Sequence, residues 1–141
     1  MTTKNYQKLV DRIFMGGADD AIEVVKQEQV DIVFDLRAES PHSETGYNRT
    51  RSPIVDDQDS QDASVKDAIE GVVTAYNEGN KVFFHCGGGS NRTGIVAIGT
   101  LLELGEAKTV DEAEQKAKAI REKINVKPEM KQALKRIYPE V

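Results

Sequence analysis

The sequence predicts an α/β fold: one three-layer domain with a central, mostly parallel sheet of about 4–5 strands flanked by helices. Three observations carry that expectation. Short β-branched or aromatic runs alternate with longer segments of helical periodicity. A compact apolar run, Lys81 to His85, passes directly into a glycine-rich turn and then a helix, a strand–loop–helix order. A chain of 141 residues, 38% hydrophobic and 30% charged, with 11 Gly and 4 Pro and no repeat or low-complexity tract, fits one globular domain with an ordinary core.

Taken in order, Arg12 to Met15 is expected as an edge strand stopped by Gly16 and Gly17. Ala18 to Glu28 follows as a helix with Ile22, Val24 and Val25 on one side. Val30 to Leu36 is an interior strand by its β-branched and aromatic content. Ala38 to Asn48, polar and holding Pro41 and Gly46, is a surface loop, and Thr50 to Val55 a further short strand. Val65, Ile69, Val72, Val73 and Tyr76 repeat on one helical stripe that Gly79 ends. After the central strand, a helix is expected from Thr93 to about Leu104. Thr109-Val-Asp-Glu112 reads as a capping box for a helix to about Lys123, and Pro128 opens the last helix.

Composition narrows the function classes. A formal charge of −5 and a pI near 5.1 give no support for a nucleic-acid or polybasic membrane partner. The acidic stretch Asp56 to Glu70 and the basic stretch Arg121 to Arg136 read as solvated helix faces. No signal-peptide pattern occupies the first 15 residues, and Gly94 to Leu102 is too short to span a bilayer, so the expected address is cytoplasmic. With Cys86 the single cysteine there is no disulfide framework, no multi-cysteine zinc site is available, and no cofactor or metal is expected. Oligomeric state is open, with a monomer the default.

The chemistry concentrates in Cys86-Gly-Gly-Gly-Ser-Asn-Arg92. A glycine-rich turn between a buried strand and a helix gathers successive N–H groups around one centre, and the helix adds its positive N-terminal end. Gly87, Gly88 and Gly89 leave that cradle open, Ser90 and Asn91 complete it, and a tetrahedral oxyanion fits. The same donors stabilise a thiolate on Cys86, which makes it a nucleophile. Arg92 offers a planar fork for two phosphate oxygens, and the Thr93 hydroxyl can donate to the sulfur. The loop is not a Walker A motif, since no Gly-Lys-Ser/Thr follows at the required spacing. His85 reads as a strand-end residue that fixes the loop by hydrogen bonding, and His42 as a surface residue. Arg37, Arg49 and Arg51 either line the mouth of the site or are solvated.

His85-Cys86-x5-Arg92-Thr93, with a glycine at Gly89, resembles the His-Cys-x5-Arg-Ser/Thr signature of the protein tyrosine phosphatase superfamily. Average residue usage gives a chance occurrence on the order of 10⁻⁵. From Ile13-Phe-Met-Gly-Gly17 through Val33-Phe-Asp-Leu-Arg37 to the helices after the loop, the chain is similar to the compact dual-specificity branch. The low-molecular-weight phosphatases and arsenate reductases carry their cysteine near the N-terminus instead. The resemblance implies a phosphomonoester hydrolase in which Cys86 attacks phosphorus, a phosphocysteine forms, and water hydrolyses it while Arg92 and the loop hold the oxygens. It also implies an aspartate as general acid some way before the cysteine. Pro53-Ile54-Val55-Asp56 looks like that segment, with Asp56 favoured, Asp57 its neighbour and rival, and Asp59 third. No tryptophan exists, so the Trp-Pro-Asp loop of the tyrosine-specific enzymes is missing, and the loop lacks the lysines of phosphoinositide 3-phosphatases. The expected partner is a phosphorylated protein or a small phosphorylated molecule. Two alternatives stand beside hydrolysis: a phosphate-binding module without turnover, and a rhodanese-type sulfurtransferase with a persulfide on Cys86.

Overall fold

The computed structural model describes residues 6–38, 47–55 and 58–139. Two antiparallel strands, β1 (Gln7–Val10) and β2 (Ile13–Gly17), come first. In the turn between them Arg12 is left-handed, with φ 68°. Its guanidinium donates to the carbonyls of Tyr76 and Asn80 and lies 4.2 Å from the Tyr76 ring centroid, contacts that offset the backbone cost.

The remaining strands run parallel to β2: β3 (Ile32–Asp35), β4 (Arg49–Arg51) and β5 (Val82–Cys86), in sheet order β1-β2-β5-β3-β4. The segment expected as an edge strand, Arg12 to Met15, is therefore interior, and β1 takes the edge. Gln7-Lys8-Leu9-Val10 buries only Leu9 fully, too little alternation to read as a strand, and that polar character suits an edge with one solvated side. β3 is interior as expected, though shorter. The strand expected at Thr50 to Val55 is regular only over Arg49–Arg51. Ser52 and Ile54 still donate to the Asp35 and Leu36 carbonyls, but Pro53 between them has no N–H to give.

Helices cover both faces unequally. On one side a 3₁₀ turn (Ala18–Asp20) leads into α1 (Ala21–Glu28), which packs Ala21 and Val24 against Phe14, Val33 and Phe83. Ile22, expected on the same side as Val24, points outward and is 60% exposed, because two residues apart on an α-helix are on nearly opposite faces and Ala21 and Val24 take the inner one. On the other side α2 (Gln58–Asn77), α3 (Asn91–Glu103), α4 (Val110–Ile120) and α5 (Pro128–Ile137) enclose the larger core, reached from the sheet by Ile13, Met15, Phe34 and Phe84. The α2 stripe is as expected: Val65, Ile69 and Val72 are fully buried, and Val73 and Tyr76 pack against them. Phe83 and Phe84 show the strand period directly, one ring feeding each core.

α3 begins at Asn91 rather than Thr93, so Arg92 lies inside its first turn. At α4 half of the expected capping box forms: Thr109 Oγ1 accepts from Glu112 N–H at 3.0 Å, while the Glu112 carboxylate accepts from Lys108 N–H instead. That helix stops at Ile120, short of Lys123, where Arg121 turns extended. The acidic and basic stretches lie largely on solvated helix faces, as expected, and ion pairs form on them. The Arg136 fork holds Asp62 at 2.6 and 2.8 Å, which keeps the Asp62 carboxyl below its ordinary range, and Lys131 meets Glu114 at 2.8 Å. Among the described residues no helix is long and apolar enough to cross a membrane.

Candidate active site

β5 is buried along its whole length and ends on Cys86. Parallel pairing sets Gly17 opposite Cys86 and Asp35 opposite His85, so the carboxyl ends of three strands converge under the glycine loop. In an open α/β sheet that is where a ligand crevice forms. A cavity of about 260 Å³ lies there, lined by Cys86, Gly87, Gly88, Ser90, Asn91, Arg92 and Lys127.

The loop carbonyls are held from outside the loop. Ala18 N–H donates to Gly87 O at 3.0 Å, Arg121 Nε donates to Gly89 O at 2.8 Å, and Ser90 O accepts from Gly94 and Asn125 N–H. Gly89 is the one loop glycine with positive φ, +72°. A Cβ there would come within 2.9 Å of the Gly16 carbonyl carbon and oxygen, so the closeness of β2 as well as the backbone angle demands glycine.

Thr93 is fully buried and adjoins the sulfur. Its Oγ1 accepts from Cys86 N–H at 3.0 Å and lies 3.1 Å from both Cys86 Sγ and Gly16 O. One hydroxyl proton serves one of those two acceptors at a time. His85 is buried beneath the loop. Its Nδ1 is 3.1 Å from Cys86 O, and since a carbonyl only accepts, Nδ1 carries the proton. Burial pushes its pKa below the ordinary value, so the ring is neutral at physiological pH, and Nε2 has no hydrogen-bond partner among the described residues. Asp35, wholly buried, stands 4.0 Å away.

The arginines expected at the mouth or in solvent do something else. Arg37 forks onto Asp35 at 3.0 and 2.9 Å, Arg49 reaches the same carboxylate at 3.4 Å, and Arg51 donates to Ala38 O. Two cations thus hold the buried acid behind His85, and none of the three lines the cavity. Asp56, Asp57 and His42 lie outside the described residues. The segment leading to the two acids is anchored: Ile54 is fully buried, and Val55 N–H donates to Ser64 Oγ at 3.2 Å.

Two residues at the site were not singled out from the sequence. Lys127 joins the cavity wall because Asn91 Oδ1 accepts its N–H at 2.9 Å and Pro128 then starts α5. Arg121 is a buried guanidinium behind the loop, and a sequence signal for it exists. Val110, Ala113 and Ala117 form the inner stripe of α4, and the next position on that stripe is residue 121. Among the described residues no group of three or more His, Cys, Asp or Glu could hold a metal ion.

A strand-end cysteine under a glycine-rich loop, on a five-stranded mostly parallel sheet and beside a cavity shared with an arginine, is an arrangement consistent with the cysteine-phosphatase class of α/β protein. Residues 13–139 match the family described as dual specificity phosphatase, catalytic domain, and the chain belongs to that family. It is an enzyme of the protein-tyrosine/dual-specificity phosphatase kind. Solved structures similar in fold include human DUSP28 (18% identity, TM-score 0.78, covering 96% of this chain and 93% of that one). Tk-PTP in its active form is 19% identical with TM-score 0.80, over 99% and 100% of the two chains. PTPMT1 is 18% identical with TM-score 0.78, over 96% and 94%. No curated protein sequence matches the chain.

Proposed function

We propose that the protein hydrolyses phosphomonoesters through a phosphocysteine on Cys86, acting on phosphotyrosine and on phosphoserine, phosphothreonine or small phosphorylated molecules. The observation that carries this reading is the joint placement of Cys86, Gly87, Gly88 and Arg92 around one cavity of about 260 Å³, with Thr93 3.1 Å from the sulfur.

In the first step the Cys86 thiolate attacks phosphorus, an S–P bond forms and the ester P–O bond breaks. Arg92 and the amides of residues 87–91 take up the charge on the three equatorial oxygens. Asp56 gives its proton to the departing oxygen, and Asp57 is the rival for that role. In the second step the same carboxylate accepts a proton from water as its oxygen attacks phosphorus. The S–P bond breaks, phosphate leaves, and Thr93 turns its hydroxyl from Gly16 O to the returning thiolate. His85, neutral and donating to the Cys86 carbonyl, orients the cysteine and moves no proton. A chain without tryptophan has no Trp-Pro-Asp loop, which favours phosphoserine and phosphothreonine beside phosphotyrosine over strict tyrosine specificity.

Stopped-flow release of p-nitrophenol from its phosphate tests the reading. Cys86→Ser should abolish turnover, and Arg92→Ala should lower kcat by about 100-fold or more. With an aryl phosphate of higher leaving-group pKa, Asp56→Asn should lose about 10²–10⁴ in rate and Asp57→Asn much less. A wild type that binds phosphate without turnover would move the reading to a binding module.

A further inference from the structure

The phosphate loop is held from behind by a side chain far from it in sequence. Arg121, at the C-terminal end of α4, is only 3% exposed. Its Nε donates to Gly89 O at 2.8 Å, its Nη2 lies 3.5 Å from Gly88 O, and its Nη1 donates to Gln7 Oε1 on β1 at 2.7 Å. It is not part of the cavity wall. The described peptides are all trans, and in a trans peptide C=O and N–H point to opposite sides. Whatever binds the carbonyl of one residue therefore also directs the N–H of the next. The Gly88 carbonyl shares its plane with Gly89 N–H, and the Gly89 carbonyl with Ser90 N–H.

We propose that Arg121 is a positioning residue for phosphate binding: by drawing the Gly88 and Gly89 carbonyls backward it turns the Gly89 and Ser90 N–H groups toward the oxyanion. The proposal deepens the phosphatase reading and rests on it for its meaning in catalysis. Glycine planes rotate freely in solution, so a run of three glycines needs an external hold to present a fixed set of donors. Ala18 supplies that hold for the Gly87 plane through its backbone, and Arg121 supplies it for the next two. A guanidinium suits the task because one rigid fork reaches two successive carbonyls and a third acceptor together, which a lysine ammonium on a flexible stem does not reproduce. The space is matched as well. A Cβ on Gly89 would overlap Arg121 Nη2, so glycine and arginine occupy this contact together. The cation also stands within electrostatic reach of Cys86 and Asp20, both of which favour its charge against burial.

The test compares wild type, Arg121→Lys and Arg121→Met by amide NMR titration with inorganic phosphate, by p-nitrophenyl phosphate kinetics and by urea unfolding. For folded variants, the expected result is phosphate affinity lowered by roughly 10-fold or more and kcat by about 100-fold. The Gly89 and Ser90 amide resonances should already be displaced before phosphate is added. A merely structural arginine would lower the urea midpoint and leave those resonances and the affinity of the folded fraction in place, and that result overturns the proposal. If Arg121→Met does not fold, Arg121→Lys, which keeps the buried charge and loses the fork, decides by the same readouts. A wild type that binds phosphate but releases no p-nitrophenol would sink the phosphatase reading, while the comparison of phosphate affinities would still decide the role of Arg121.

Discussion

Three adjacent glycines separate into two kinds once their surroundings are known. A Cβ on Gly87 or Gly88 meets nothing within 4 Å and neither residue has positive φ, whereas Gly89 is left-handed and pressed against Gly16 and Arg121. Gly87→Ala and Gly88→Ala should each fold, with a gain of about 0.4–1 kcal/mol from the lower entropy of the unfolded chain that urea unfolding would show. Gly89→Ala should cost about 1–3 kcal/mol in backbone strain and abolish phosphate binding, as calorimetric titration would show. His85 adds a pH dependence. Its pKa in the fold is depressed by burial, with Asp35 and the Cys86 carbonyl opposing that shift and Arg37 and Arg49 reinforcing it. Below its unfolded value of about 6.5 the unfolded chain binds a proton that the folded protein resists. Stability is therefore full above that pH and falls as pH drops toward the folded pKa, by at most about 1.4 kcal/mol per pH unit. Urea unfolding at pH 7.5 and 5.5 should reveal the loss in wild type and a smaller one in His85→Gln.

At the scale of elements, the approach of α2 to α3 depends on the absence of a side chain. Gly99 lies in the middle of α3, and a Cβ there would fall 2.1 Å from Ile69 Cδ1 and 2.6 Å from its Cγ1. Gly99→Ala should gain helix propensity yet destabilise by about 1–3 kcal/mol through overpacking, and adding Ile69→Ala should make the pair less costly than the sum. A double-mutant cycle in urea reads that coupling directly. The 124–127 segment is fixed to the start of α3 in a similar way, since a Cβ on Gly94 would meet Ile124 and Val126 at under 3 Å and Asn91 accepts from Lys127. Lys127 thereby adds a cation to the wall that Arg92 occupies. Lys127→Ala should raise KM for phosphorylated peptides with acidic flanks while leaving kcat close to wild type, which steady-state kinetics would check. Elements carrying a strong period were legible: α2 from its stripe, β5 from its apolar run, α5 from Pro128. The boundaries that shifted lie where one residue has a tertiary task, as when α4 ends early so that Arg121 can turn beneath the loop.

Over the whole molecule, β5 is the strand on which everything converges, paired on both edges and covered on both faces. Its amides should exchange slowest with solvent, those of α1 and of the edge strands β1 and β4 sooner, because the core on the α1 side is the smaller of the two. A single unfolding transition, coincident by circular dichroism and by a probe at the active site, is expected if the chain is one cooperative domain. The sequence by itself determined the strand–loop–helix that makes the anion cradle, because its residues are consecutive and their chemistry is local. It also determined the family, through His85, Cys86, Gly89, Arg92 and Thr93, and the amphipathic helices, whose period needs no knowledge of the partner. Tertiary structure alone decided that β2 is interior, that Arg37 and Arg49 serve the buried Asp35, and that Arg121 stands behind the loop. The physical reason is distance along the chain. Thr93 meets Gly16 across 77 residues and Arg121 meets Gln7 across 114, and such pairings are set by the order of strands in the sheet, which no local pattern of residues specifies.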